Sequence, residues 1–225
     1  MSELTVLKGA EKMKVLVIGA HPDDEILGVG GTICRHISNK DDVYVCIVTK
    51  AHEPKWSKEY IAKKIQEQKK VDKLLKIKKR FNLDFPTIKL NEIAHGEINR
   101  KITEVVDKVN PDIVYTNFWG DLNQDHAMVF NGTMVAIRPP KKIRLLCYET
   151  LSETEWGIGT FRPNFWVDIT KFLKKKISAF EIYKSELKKN PHPRSAKGIQ
   201  LLAGKRGSEI CTENAEAFMI IREMW

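Results

Sequence analysis

The chain has 225 residues, 42% hydrophobic and 30% charged, enough for one sizeable core and too few to require two domains. Its net charge of +9 raises the question of an anionic partner. The lysines, however, recur between apolar residues, as in Lys63-Lys64, Lys69-Lys70 and Lys174-Lys175-Lys176. That is the pattern of solvated helix faces, not of a nucleic-acid groove with interleaved aromatics.

In chain order, Met1–Met13 is a polar lead-in, and Val15–Ile18 is an apolar run that reads as a strand buried on both faces. Gly19-Ala20 breaks the run, His21-Pro22-Asp23-Asp24-Glu25 follows, and Ile26, Val29, Ile33 and Ile37 then recur at helical spacing. Gly28, Gly30 and Gly31 allow that helix to pack closely. Asp42–Thr49 is a second buried strand, and Ala51–Ser57 a loop that brings His52 and Trp56 near its end. Lys58–Leu75 is an amphipathic helix with Ile61, Ile65, Val71, Leu74 and Leu75 turned inward. Thr87–Leu90 is expected as a short strand, followed by a helix from His95-Gly96 to Val109 and a strand over Asp112–Asn117.

A polar turn then leads to Asp125-His126 and a helix through Ile137. Further strands are expected at Leu145–Glu149 and Phe161–Ile169, then a helix capped by Thr170 and running to about Leu187. A stiff loop, Asn190–Ser195, precedes a helix to Arg206 and a closing strand at Ala217–Ile221. Alternating strands and helices predict an α/β fold: a single-domain (1–225) Rossmann-like three-layer sandwich with a mostly parallel sheet. No apolar run reaches transmembrane length, no secretory pattern opens the chain, and the four cysteines form no C-x-x-C pair. Together these read as a cytoplasmic protein with reduced thiols.

The corner after the first strand carries the chemistry. Open α/β sheets place ligands at strand C-termini. His21 and Asp24, three residues apart across a turn stiffened by Pro22, project to one side and can share an ion at the ~2.0–2.2 Å of a zinc site. Asp23 points elsewhere and is free to hold a water. The competing reading is that both aspartates merely cap a helix. Against it stands a second half-site of the same logic, in which His126 is the natural third ligand. The ligand types suit zinc, one ion per chain, although iron or cobalt fits the same set.

With these residues in view, the chain resembles the LmbE-like, or PIG-L, family of zinc-dependent deacetylases. The AHPDDE signature stands at Ala20–Glu25, and the family's His-x-Asp-His motif corresponds to Asn123-Gln124-Asp125-His126. His192–Ser195, Arg206-Gly207 and Ala215–Phe218 extend the likeness over most of the chain. The resemblance implies removal of an N-acetyl group from a small amino sugar of the N-acetylglucosamine type, free or phosphate- or nucleotide-linked. It also implies His21, Asp24 and His126 as zinc ligands and Asp23 as general base. Asp125 is expected to orient a ring nitrogen.

Asn123 replaces a histidine found in many members, and an amide can donate a hydrogen bond to an oxyanion but no proton. His192, between Pro191 and Pro193, is the candidate for the missing acid. Asn123, Arg162, Trp119 and Arg194 are the candidate substrate contacts. An amidase acting on another amino-sugar conjugate remains the nearest alternative. A nucleotide-binding module is the alternative of a different class, although a dinucleotide fingerprint needs its glycines in the turn that His-Pro-Asp-Asp-Glu occupies. His36 and Glu216 read as structural.

Overall fold

The computed structural model describes residues 12–224. Seven strands form one sheet: β1 (Lys14–Gly19), β2 (Asp42–Lys50), β3 (Lys79–Pro86), β4 (Ile113–Asn117), β5 (Arg144–Tyr148), β6 (Phe165–Asp168) and β7 (Ala215–Arg222). Six helices accompany them: α1 (Asp24–Ser38), α2 (Lys58–Leu75), α3 (His95–Val109), α4 (Gln124–Ala136), α5 (Leu173–Phe180) and α6 (Ala196–Ser208). The strand order is β3-β2-β1-β4-β5-β7-β6. The first five strands are parallel, and β7 enters antiparallel to both β5 and β6.

Alternation along the strands builds a core on each face of the sheet. Val15, Val17, Val43, Val45 and Tyr115 face one layer with α1, α2, α5 and α6. Leu16, Ile18, Cys46, Val48 and Val114 face the other, with α3 and α4. The three-layer sandwich expected from the sequence is the observed fold. Burying each of Val15, Leu16, Val17 and Ile18, all fully inaccessible, contributes roughly 1.5–3 kcal/mol.

The order reverses between β1 and β4, which lie side by side with Val15 opposite Ile113 and Val17 opposite Tyr115. The turns leaving these two strands therefore open into one crevice at the sheet's C-terminal edge, the position at which open α/β sheets bind ligands.

Several expected elements shift. The strand expected at Thr87–Leu90 lies earlier, at β3, an edge strand with Phe81, Leu83 and Phe85 inward and the polar Asn82 and Asp84 between them. A 3₁₀ turn at Leu90–Glu92 follows it. The strand expected from Phe161 begins at Phe165, because Pro163 has no amide to give the ladder. Thr170 does not cap the next helix, since its hydroxyl is engaged with the backbone of Asn214. That helix ends at Phe180, beyond which the chain turns to bury Tyr183 and aim Glu186 inward. Leu74, expected inside, is 36% exposed. His36 and Glu216 are structural as read: His36 lies between Asp41 and Tyr115, and Glu216 accepts from Gly31 N, Thr32 N and Lys176 Nζ.

Candidate metal centre and its cavity

Asp24 opens α1, and its first turn is closed by a hydrogen bond from its own amide to His21 O. His126 lies in the first turn of α4, whose N-cap Asn123 accepts the Asp125 amide. The pairing of β1 with β4 brings these two turns together across 105 residues of sequence.

Three atoms face one another there. His21 Nδ1 is 3.3 Å from His126 Nε2 and 3.6 Å from Asp24 Oδ2. His126 Nε2 is 3.4 Å from the same oxygen. Ligands on a tetrahedral ion with ~2.0–2.1 Å bonds stand ~3.3–3.4 Å apart, so the triangle has the size a zinc-like ion requires. Among the described residues, this is the one group of three or more such side chains with metal-binding geometry. Asp24 Oδ1 is fully buried with no hydrogen-bond partner among them, a cost an adjacent cation would remove. The donor set fits a divalent metal.

The far nitrogen of each imidazole is held by a carboxylate. His21 Nε2 lies 3.0 Å from Asp125 Oδ2, and His126 Nδ1 lies 2.7 Å from Asp121 Oδ2. A ring that donates there keeps its other nitrogen's lone pair for an ion. Asp125 also accepts the Ile88 amide, and Asp121 accepts the Thr154 hydroxyl. Asn117, at the end of β4, donates to Asp24 Oδ2 and accepts the Ala20 amide.

Electrostatics follow from this packing. Burial works against a charged His21, but hydrogen bonds and charge from Asp125 and Asp24 outweigh it and raise its pKa to about 10. His126 rises too: burial opposes, while Asp24 and Asp121 prevail. Asp24 is lowered despite burial by the two imidazoles. Asp23 is pushed up to about 7, chiefly by burial, with Arg194 pulling it down and Asp24 adding to the rise.

Asp23 occupies the N-cap position of α1 yet makes no side-chain capping bond, so the capping alternative does not account for it. Its carboxylate lines a cavity of 240 Å³ beside the triad, with His21, Asn123, Lys64, Glu153, Glu186 and Arg194 among the walls. Trp56 reaches this rim, and the His52 ring rests against it at 5.6 Å.

Of the other expected contacts, Asn123 and Arg194 line the cavity, whereas His192, Arg162 and Trp119 lie outside its lining. His192 Nδ1 accepts the Arg194 amide, and its ring meets Trp156 at 5.6 Å. Arg162 is exposed. Trp119 packs on Phe118 and Phe130, 40% exposed. Sequence reasoning missed Asp121, whose one signal was an acid a short turn ahead of a ligand histidine. It also missed the wall from α2 and the chain after α5, where Lys64 Nζ is 2.7 Å from Glu186 Oε1.

Comparison with known proteins follows this geometry. The family profile described as PIG-L, GlcNAc-PI de-N-acetylase, matches residues 16–137, which hold all three triad residues. The uncharacterized deacetylase YaiS of Escherichia coli K12 is 28% identical over 190 residues, 80% of this chain and 96% of its own. The diacetylchitobiose deacetylase of Thermococcus kodakarensis is 26% identical over 188 residues, 77% of this chain and 70% of its own. Among solved structures, the N,N′-diacetylchitobiose deacetylase of Pyrococcus horikoshii superimposes with a TM-score of 0.76 at 21% identity, covering 94% of this chain and 84% of that one.

Proposed function

The chain belongs to the PIG-L family, and from that premise we propose that it removes the acetyl group from a small N-acetylated amino sugar of the N-acetylglucosamine type. The observation that carries this reading is the His21–Asp24–His126 triangle, with the Asp23 carboxylate beside it making no capping bond to its own helix. The name of one relative, the diacetylchitobiose deacetylase, supports the substrate class. A cavity of 240 Å³, below the ~300–1,000 Å³ typical of drug-sized ligands, suits a single sugar unit.

His21 Nδ1, Asp24 and His126 Nε2 would hold one zinc ion, which when bound lowers the pKa of a water toward ~7 and polarises the amide carbonyl. Asp23 accepts a proton from the attacking water and returns it to the departing nitrogen, so that the C–N bond breaks to acetate and a free amine. With His192 outside the cavity lining, Asp23 serves as both base and acid. Asn123, on the cavity wall, would donate to the carbonyl oxygen as charge develops there. Asp125 and Asp121 hold the imidazoles in register. Four unpaired cysteines support a reducing, cytoplasmic setting. Among the described residues, no helix is long and apolar enough to cross a membrane.

The test is acetate release from free, phosphate-linked and nucleotide-linked N-acetyl hexosamines, before and after chelation and with zinc restored. Chelator-sensitive release is expected. Turnover of N-acyl conjugates other than acetyl sugars, with none of the acetyl sugars cleaved, would assign the site to a different amidase.

A further inference from the structure

Arg194 lies in the loop ahead of α6, its side chain 14% exposed. Nη1 donates to Asp23 Oδ2 at 3.1 Å, Nη2 to Glu153 Oε1 at 2.9 Å, and Nε to Ser152 Oγ at 2.7 Å. Glu186 Oε2 stands 3.6 Å from Nη1. Each guanidinium nitrogen thus donates to the protein, which fixes the plane of the group.

Asp23 is held at its other end as well. Its backbone has φ 130° and ψ −25°, a region that residues bearing a Cβ adopt only where the surroundings impose it. Its amide donates to Glu25 Oε2 at 2.9 Å. Glu25, fully buried, is itself fixed by Tyr183 Oη at 2.7 Å and Arg80 Nη2 at 3.0 Å. An aspartate at a helix N-cap ordinarily turns its carboxylate onto the open amides of the first turn. Here the Asp23 carboxylate makes no such bond; it accepts from Arg194 Nη1 instead, and both residues line the cavity.

We propose that Arg194 is a positioning residue that holds the Asp23 carboxylate toward the cavity. The proposal rests on Asp23 being the general base.

The test combines kinetics of the metal-loaded enzyme, metal content and crystal structures of Arg194→Ala, Arg194→Lys, Asp23→Asn and the Asp23→Asn/Arg194→Ala double variant. In Arg194→Ala, metal content and KM hold while kcat falls ~10²-fold, the scale set by a misplacement of about 1 Å. Added to Asp23→Asn, the same change costs less than about twofold more, because its effect runs through the missing carboxylate. Lysine keeps the charge without the fork, so Arg194→Lys restores part of kcat. If the alanine variant does not fold, Arg194→Lys carries the comparison through lowered kcat at constant KM. The crystal structure of a substituted protein shows the Asp23 carboxylate turned from its place on the cavity wall.

The proposal is overturned if the two losses multiply in full, if KM rises with kcat intact, or if Asp23 stays in place without the guanidinium. Full turnover by Asp23→Asn alone would instead remove the base assignment itself. Those outcomes are distinguishable.

Discussion

Nε2 of His21 lies 3.0 Å from Oδ2 of Asp125, a carboxylate from the turn after β4 and not from the motif that carries the histidine. Each half-site therefore supports the other: β1's turn supplies two of the candidate donors, and β4's turn supplies the third together with the acid that orients the first. Outer partners of this kind typically cost 10–100-fold in metal affinity when removed. Asp125→Asn and Asp121→Asn are each expected to weaken metal binding by about that factor with the fold retained. Competition with a chelating dye measures it, and unchanged affinity in both variants would show that the rings need no such support.

The neighbouring aspartates should separate cleanly. Asp23→Asn keeps its metal while turnover falls ~10²–10⁴-fold, the usual contribution of a general base. Asp24→Asn and His126→Ala lose the metal itself. Elemental analysis beside acetate release reads both quantities, and interchangeable behaviour of the two aspartate variants would refute the division of labour.

Metal uptake should release protons. In the metal-free protein, His21 has its pKa raised from 6.5 to about 10 by Asp125 and Asp24 against the effect of burial, whereas a ligating imidazole must be neutral. Apparent affinity therefore rises with pH across the neutral range. The same shift has an opposite sign for folding without metal. The imidazolium's contribution is complete below about pH 6.5 and is lost as pH climbs through about 10. Calorimetry in buffers of different ionisation enthalpy counts the released protons. A proton count of zero at neutral pH would contradict the assignment.

Gly28 should tolerate no side chain. A Cβ there would fall 2.1 Å from Tyr148 Cδ2, and Tyr148 is fully buried with its hydroxyl donating to Ile18 O. Gly28→Ala is expected to cost about 1–3 kcal/mol through overpacking. For a domain of this size, that lowers Tm by roughly 2–4 °C per kcal/mol. Thermal unfolding of the variant beside the parent protein decides it, and an unchanged Tm would mean that the sheet yields at this point.

The parts of the molecule legible in sequence are those governed by local pattern. A four-residue apolar run and a turn of metal-competent side chains gave β1 and two ligands without any knowledge of neighbours. The second half-site was equally readable, but its adjacency depends on β1 pairing with β4, a long-range fact. β3 was missed because an edge strand needs only one apolar face, and charges at Lys79, Arg80 and Asp84 hid Phe81, Leu83 and Phe85. The end of α5 at Phe180 reflects a demand from elsewhere, the burial of Tyr183 against Glu25. The stiff loop Asn190–Ser195 was recognised, but the side chain it brings to the cavity lining is Arg194, not His192.

The adjacency of β1 and β4 also bears on when a metal can be acquired. His21 and Asp24 leave the ribosome before His126, and this third donor, 105 residues from the first, reaches them only after the crossover from β1 to β4 has closed. A nascent chain lacking α4 has two donors and no clasp. An ion held by all three is accordingly captured only by a sheet whose central strands have already met.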